Sequence, residues 1–184
     1  MKKIVITVSG PPGAGSSTIS KLLAKRFKLK YFSPGMVQKK LAREKNQTKA
    51  AVKTWEMKLV KTKKYHHDLD KMQIDVAKKG NVVICGKLSI HFLKDLADHK
   101  IWLNVPLEER AKRAVGRDGI PFEEAKRLLA ERQKTERKEF KRIYGFDYLK
   151  QKLDADFVID STGMTPEQTT NKIIEFIERE EHER

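Results

Sequence analysis

The ten residues Ser9-Gly10-Pro11-Pro12-Gly13-Ala14-Gly15-Ser16-Ser17-Thr18 constrain this chain more than any other feature. The apolar run Ile4–Val8 before them reads as a buried parallel strand, and Thr18–Phe27 after them as an amphipathic helix. A glycine-rich turn between a strand and a helix is the setting of a phosphate-binding loop. Glycine takes backbone conformations closed to other residues, so successive N–H groups can converge on phosphate oxygens. The helix adds the positive end of its dipole. The full pattern is Gly, four residues, Gly, Lys, then Ser or Thr. Here Ser16 stands in the Lys position, while Ser17 keeps the hydroxyl that would reach a Mg²⁺ ion.

Five apolar runs read as strands: Ile4–Val8, Tyr31–Phe32, Val82–Cys85, Ile101–Val105 and Phe157–Ile159. Most lack strict alternation, as parallel strands covered on both faces do. Helical segments lie between them, with Leu22, Leu23 and Phe27 on one apolar stripe and Ala111, Ala114 and Val115 on another. The last helix carries clear start chemistry: Thr165 as N-cap, Pro166 at the first position and Gln168 closing a capping box. Ile173, Ile174, Phe176 and Ile177 then form its buried face. Strands alternating with helices give an α/β class, with a five-stranded parallel sheet between helical layers. Two stretches do not serve the sheet. Ala42–Lys79 is long, polar and helical, and Arg110–Arg142 reads as two basic helices broken at Asp118-Gly119-Ile120-Pro121.

At 184 residues the chain reads as one domain with a substantial core. No apolar run reaches the ~18 residues of a membrane span, and no signal-peptide pattern opens the chain. Cys85 is the only cysteine, which excludes an intramolecular disulfide and points to a cytoplasmic protein. The net charge of +15 has two readings: a Lys-rich surface around a pocket for polyanionic nucleotides, or a nucleic-acid partner. The excess is densest between Val37 and Lys64, with ten Lys or Arg against two Glu.

In its motif order the chain resembles the archaeal-type cytidylate (CMP) kinases, a branch of the P-loop nucleoside monophosphate kinases. The resemblance runs through Gly10–Gly15, Ser33-Pro34-Gly35-Met36-Val37, Asp70-Lys71-Met72-Gln73, Gly80–Leu88, Ile101–Ala111 and Ile143-Tyr144-Gly145-Phe146-Asp147. It implies a P-loop fold whose core covers residues 1–34, 80–109 and 143–184, with an acceptor-binding insert at about 35–79 and a lid at about 110–142. It implies the reaction ATP + CMP ⇌ ADP + CDP with Mg²⁺, small-molecule nucleotides as partners, and a monomer. ATP would be held by Gly10, Pro11, Pro12, Gly13, Ala14, Gly15, Ser16, Ser17, Thr18 and Arg110, with Ser17 on the metal. The acceptor would meet Ser33, Gly35, Lys39, Asp70, Gly86, Lys87 and Arg132. Arg113, Arg117, Arg132 and Lys87 would carry the charge of the transferring phosphoryl group.

The departures from that pattern fall at functional positions. Ser16 replaces the loop Lys, Lys39 and Lys87 replace arginines, and Cys85 replaces an acidic residue at the end of the central strand. Met72 interrupts an Arg pair, and Glu139 stands where a lid Arg is usual. Lys keeps charge but loses the planar bidentate fork of Arg. These changes leave room for a nucleotide- or RNA-binding module with little turnover, or for a kinase of another small acceptor. Adjacent His66 and His67, beside Asp68 and Asp70, point to different helix faces and read as polar insert rather than a metal site. Trp102 reads as sheet packing and Trp55 as a contact from insert to acceptor side. Arg110, Arg113 and Arg117, at spacings of three and four, share one helix face. Glu108 and Glu109 stand at that helix's start, where they suit the dipole.

Overall fold

The structure, a computed structural model, describes residues 3–40 and 44–183, the side chains at 39 and 40 excepted. Five parallel strands form one sheet: β1 (Val5–Ser9), β2 (Lys30–Phe32), β3 (Val82–Cys85), β4 (His99–Asn104) and β5 (Phe157–Asp160), in the order β2-β3-β1-β4-β5. The α/β reading with a five-stranded parallel sheet therefore holds. Helices α1 (Ser16–Arg26), α2 (Pro34–Lys40), α3 (Gln47–Thr54), α4 (Lys63–Lys79), α5 (Ser89–Phe92), α6 (Leu107–Asp118), α7 (Phe122–Tyr144) and α8 (Pro166–Glu183) complete the chain, with a 3-10 turn at Tyr148–Asp154.

Every residue of β1 is buried, which explains its continuous apolar run. One core lies between the sheet and α1 and α8, with Ile6, Val8, Leu23, Ile101, Leu103, Ile173 and Ile177 at its centre. A second covers the other face, where Val5, Val82 and Ile84 pack Ala77 and Leu93. The start of α8 is stapled as its sequence indicates: Thr165 Oγ1 accepts from Gln168 N, and Gln168 Oε1 accepts from Thr165 N. One strand differs from its apolar run. β4 begins at His99, two residues before Ile101, and Ile6 and Thr7 are paired with His99 and Lys100. His99 is fully buried and lies 3.2 Å from Glu181, so a polar residue occupies a core strand position.

In the long helical stretch Ala42–Lys79, the described residues form two helices, α3 and α4, and α2 precedes it. Asn46 caps α3 through Lys49 N, and Thr62 caps α4 through Tyr65 N. The segment between them carries Trp55 and Val60 into a cluster with Leu88, Phe140 and Tyr148. That cluster joins the insert to α7. Helices α6 and α7 bury a small core of their own, including Ala111, Ala114, Ala125 and Leu129. Among the described residues no helix is long and apolar enough to cross a membrane.

From β1 the chain passes to β2 at the sheet edge, returns to β3 beside β1, then crosses to β4 and β5 on the other side. The carboxyl ends of β1 and β3 border that reversal, the place where open α/β sheets bind ligands.

Candidate active site

The loop leaving β1 is shaped by two residues with positive φ, Gly13 at 82° and Gly15 at 92°, the second serving as N-cap of α1. A Cβ at either would be strained in the left-handed region. The next residue, Ser16, opens the helix, so the loop's amides and the helix N-terminus face one space. That space is a cavity of about 210 Å³. Gly10, Gly13, Gly15, Ser16, Ser17 and Thr18 line it at the loop end. Ser33, Gly35, Asp70 and Gln73 line it at the insert end, and Gly86, Lys87, Arg117 and Arg132 line it as well.

The remaining expected residues lie elsewhere. Pro11, Pro12 and Ala14 are buried behind the loop. Arg110 is 5% exposed, its Nε on Val105 O at 3.0 Å and its Nη1 on Pro12 O at 2.8 Å. Arg113 Nη1 donates to Ala14 O at 2.9 Å, and its other nitrogens reach Glu109 and Ser161. These two guanidinium groups fasten the loop from outside the cavity. The face they share is not free of carboxylates either: Glu109 pairs with Arg113, and Asp118 with Arg117. Arg117 also donates to Thr48 Oγ1 at 2.7 Å, tying α6 to α3. The side chain of Lys39 lies outside the described residues.

The floor of the cavity is the end of β3. Ser9 Oγ donates to Gly86 O, and Ser17 Oγ lies 3.7 Å from Cys85 Sγ. Lys87 Nζ donates to Gly10 O at 2.6 Å. Burial lowers its pKa to about 7; the Glu136 carboxylate opposes that shift and the Arg132 charge adds to it. Glu136, on α7, is 1% exposed. Arg132 Nε donates to its Oε1 at 2.7 Å and Tyr148 OH to its Oε2 at 3.1 Å. Burial pushes the Glu136 carboxyl up, but Arg132 and Lys87 outweigh it and hold the group below its usual range.

At the insert end, Asp70 accepts from Tyr144 OH and, at 3.2 Å, from Gln73 Nε2. Gln73 Oε1 accepts from Ser89 Oγ at 2.8 Å. Burial raises the Asp70 pKa to about 6, against the Tyr144 hydrogen bond and the nearby His67. His66 is buried, stacks on Trp55 at 5.4 Å and sits 2.7 Å from Val60 O, a packing role that matches its reading as polar insert. Trp102 is 2% exposed within β4, and Trp55 both packs the insert and lines the cavity. Gln73, within the Asp70–Gln73 motif, lines the cavity, and so do Glu136, Phe140 and Thr54, whose spacing carries no signal. Glu136 reads in sequence as one more carboxylate on a solvated basic helix, and only its burial sets it apart.

The model of the cytidylate kinase-like family matches residues 5–163. The cytidylate kinase of Pyrococcus horikoshii is 37% identical over 90% of this chain and 83% of that protein. That of Ignicoccus hospitalis is 37% identical over 92% of this chain and 96% of its own. Among solved structures, shikimate kinase from Bacteroides thetaiotaomicron superposes with a TM-score of 0.61 over 96% of this chain and 99% of that one. An uncharacterised protein from Eubacterium ventriosum reaches 0.67 over 96% and 99%. Those two are 15% and 16% identical and speak to the fold, a P-loop kinase-like α/β arrangement.

Proposed function

The chain belongs to the cytidylate kinase-like family, and we propose that it transfers the γ-phosphoryl group of ATP to CMP, giving ADP and CDP. The observation that carries this reading is one cavity lined at once by a glycine loop at a helix N-terminus, by Lys87, Arg117 and Arg132, and by the Asp70–Gln73 pair. In the loop Gly10–Gly15, Pro11 and Pro12 carry no N–H and Ala14 N is bonded to Pro11 O, so the amides of Gly13, Gly15, Ser16 and Ser17 cradle the β-phosphate, and Thr18 offers a hydroxyl to a neighbouring phosphate. The loop end fits a Mg²⁺ held mainly by nucleotide oxygens and water. Ser17 brings one hydroxyl there, and no cluster of three His, Cys, Asp or Glu lies among the described residues. Such an ion supplies charge neutralisation across the phosphates when bound.

Phosphoryl transfer passes through a loose transition state, so positioning and electrostatics carry the catalysis and no protein nucleophile is needed. Arg117, Arg132 and Lys87 supply positive charge toward the equatorial oxygens. Arg110 and Arg113 act behind the loop, holding its carbonyls away from the cavity so that its amides face the ligand. Ser33 and Gly35 border the acceptor with Gly86, and Lys39 follows on the same helix. Asp70 reads the base: an ionised carboxylate accepts from the exocyclic amine of cytosine and repels the carbonyl that uracil carries there. CMP and dCMP are then preferred over UMP, and the protein works as a monomer.

The test is ADP formation with Mg²⁺-ATP against CMP, dCMP, UMP, AMP and GMP. Turnover with CMP above ~1 s⁻¹, inside the usual enzyme range, is expected. An ATP-binding protein that phosphorylates none of them would overturn the reading.

A further inference from the structure

Ser16 leaves the phosphate loop without its own ammonium group. We propose that Lys87, from the turn after β3, supplies that ammonium to the ATP phosphates, so that the loop lysine has in effect moved to another segment. The inference rests on the kinase reading above and assigns Lys87 to the ATP side of the site rather than to the acceptor phosphate.

Four observations carry it. Lys87 Nζ touches the loop directly, donating to Gly10 O at 2.6 Å, and it lines the same cavity as Gly13, Gly15, Ser16 and Ser17. One of three N–H groups is used there, which leaves two for a ligand. The other basic groups near the loop are placed differently. Arg110 and Arg113 spend their guanidinium groups on Pro12 O and Ala14 O, behind the loop. Arg117 and Lys21 line the cavity too, but Arg117 is held by Asp118 and Thr48, and Lys21 is an exposed residue of α1 with its Nζ over the Tyr31 ring.

The third observation is Glu136. Its buried carboxylate is bonded by Arg132 and Tyr148 and interacts with Lys87. It balances only one of the cations around it, Lys87, Arg132 and Arg110, so the cluster keeps an excess of positive charge that a phosphate would offset. The fourth is the cost of enclosing Lys87, where burial and the Arg132 charge outweigh Glu136 and lower its pKa. From β3, Arg110 on α6, and Arg132 and Glu136 on α7, the charged and titratable groups facing Lys87 are those named here with Cys85. Lys87 makes and breaks no bond in the reaction; it neutralises the bridging region between β- and γ-phosphates.

The experiment uses the full chain and measures Mg²⁺-ATP affinity by calorimetry with no acceptor present, alongside steady-state kinetics with CMP. Lys87→Ala should weaken ATP binding ~10-fold or more and lower kcat ~100-fold, the scale of one transition-state contact. Adding Ser16→Lys to Lys87→Ala should recover at least ~10-fold of the lost turnover, because the ammonium returns to the same phosphates from the loop. Lys87→Met, which keeps the buried stem, replaces Lys87→Ala in both arms if the latter fails to fold. ATP affinity within twofold of the parent, with a rise in KM for CMP alone, would place Lys87 on the acceptor phosphate and overturn the proposal. Loss of ATP affinity with no recovery on adding Ser16→Lys would overturn it too. A parent protein that binds ATP but phosphorylates no nucleotide would sink the kinase reading, while the calorimetric arm would still decide the place of Lys87.

Discussion

The two ends of the cavity are made of different material. The loop end is mostly main chain: amides released by Gly13 and Gly15, a helix N-terminus, and carbonyls tied back by Arg110 and Arg113. The insert end is mostly side chain: Asp70, Gln73, Tyr144 and Ser89 in one hydrogen-bonded chain. A main-chain site recognises phosphate, which every nucleotide carries, and tolerates exchange of most of its side chains. A side-chain site recognises one base and depends on each member. The contrast predicts that substitutions at the loop end act through folding and ATP together, while those at the insert end act on the acceptor alone.

The largest effect is expected at Arg110. Truncation to Ala leaves Pro12 O and Val105 O without their buried donor, a loss of about 3 kcal/mol. The loop then loosens, so ATP affinity and thermal stability should fall together, as calorimetry and a melting curve would show. A variant with normal stability that binds ATP poorly would mean Arg110 contacts the nucleotide instead. Next comes Asp70→Asn. It should lower kcat/KM for CMP ~30-fold, about 2 kcal/mol and the scale of one hydrogen bond to a charged group, and leave ATP affinity unchanged. An equal loss on ATP would break the division between the two ends.

What was legible in the sequence follows the same division. The loop announced itself because glycine at a strand–helix junction has few other uses. The strands showed as apolar runs, and Thr165 and Gln168 marked the start of α8 correctly. His99 and Lys100 hid the start of β4, because a buried polar strand residue is visible only through its partners. Glu136 was invisible for a related reason: among the alternating charges of a basic helix, nothing in the spacing marks the one carboxylate that turns inward. The same blindness applied to Arg110 and Arg113. Their charge suggested nucleotide contact, whereas in the structure they hold backbone carbonyls. Side-chain roles depend on direction, and direction is set by packing between α6, α7 and the insert.

The two ends should also titrate differently. Lys87 has a pKa lowered to about 7, and phosphate bound beside the charged ammonium would raise it. ATP binding therefore takes up a proton, and affinity should fall as pH rises above about 7, by at most ~10-fold per unit. Titration calorimetry in buffers of different ionisation enthalpy would detect that uptake, and Lys87→Met should abolish it. Asp70 runs the opposite way. Its pKa is raised to about 6, and base reading needs the ionised form, so kcat/KM for CMP should rise as pH climbs through about 6. A raised acid pKa also means the folded state holds its proton more tightly than the unfolded one. Stability from this group is then present at low pH and declines between about 4 and 6. Asp70→Asn should accordingly raise the melting temperature at pH 8 while it lowers activity.

Tyr144→Phe is the mildest test and the sharpest for the insert end. The phenol O–H donates to the Asp70 carboxylate and favours its charged form. Without it the Asp70 pKa moves further above 6, so less of the ionised form is present at neutral pH. kcat/KM for CMP should fall ~3-fold at pH 7 and recover by pH 9, where Asp70 is ionised in both proteins. A loss that persists at pH 9 would mean that Tyr144 positions Asp70 or touches the base, and does not act only through its charge. ATP affinity serves as the control: it should not change at either pH, because Tyr144 meets the cavity at the insert end, through Asp70 and Phe140. If it does change, the loop and the insert are coupled through α7, which carries both Glu136 at the loop end and Tyr144 at the insert end.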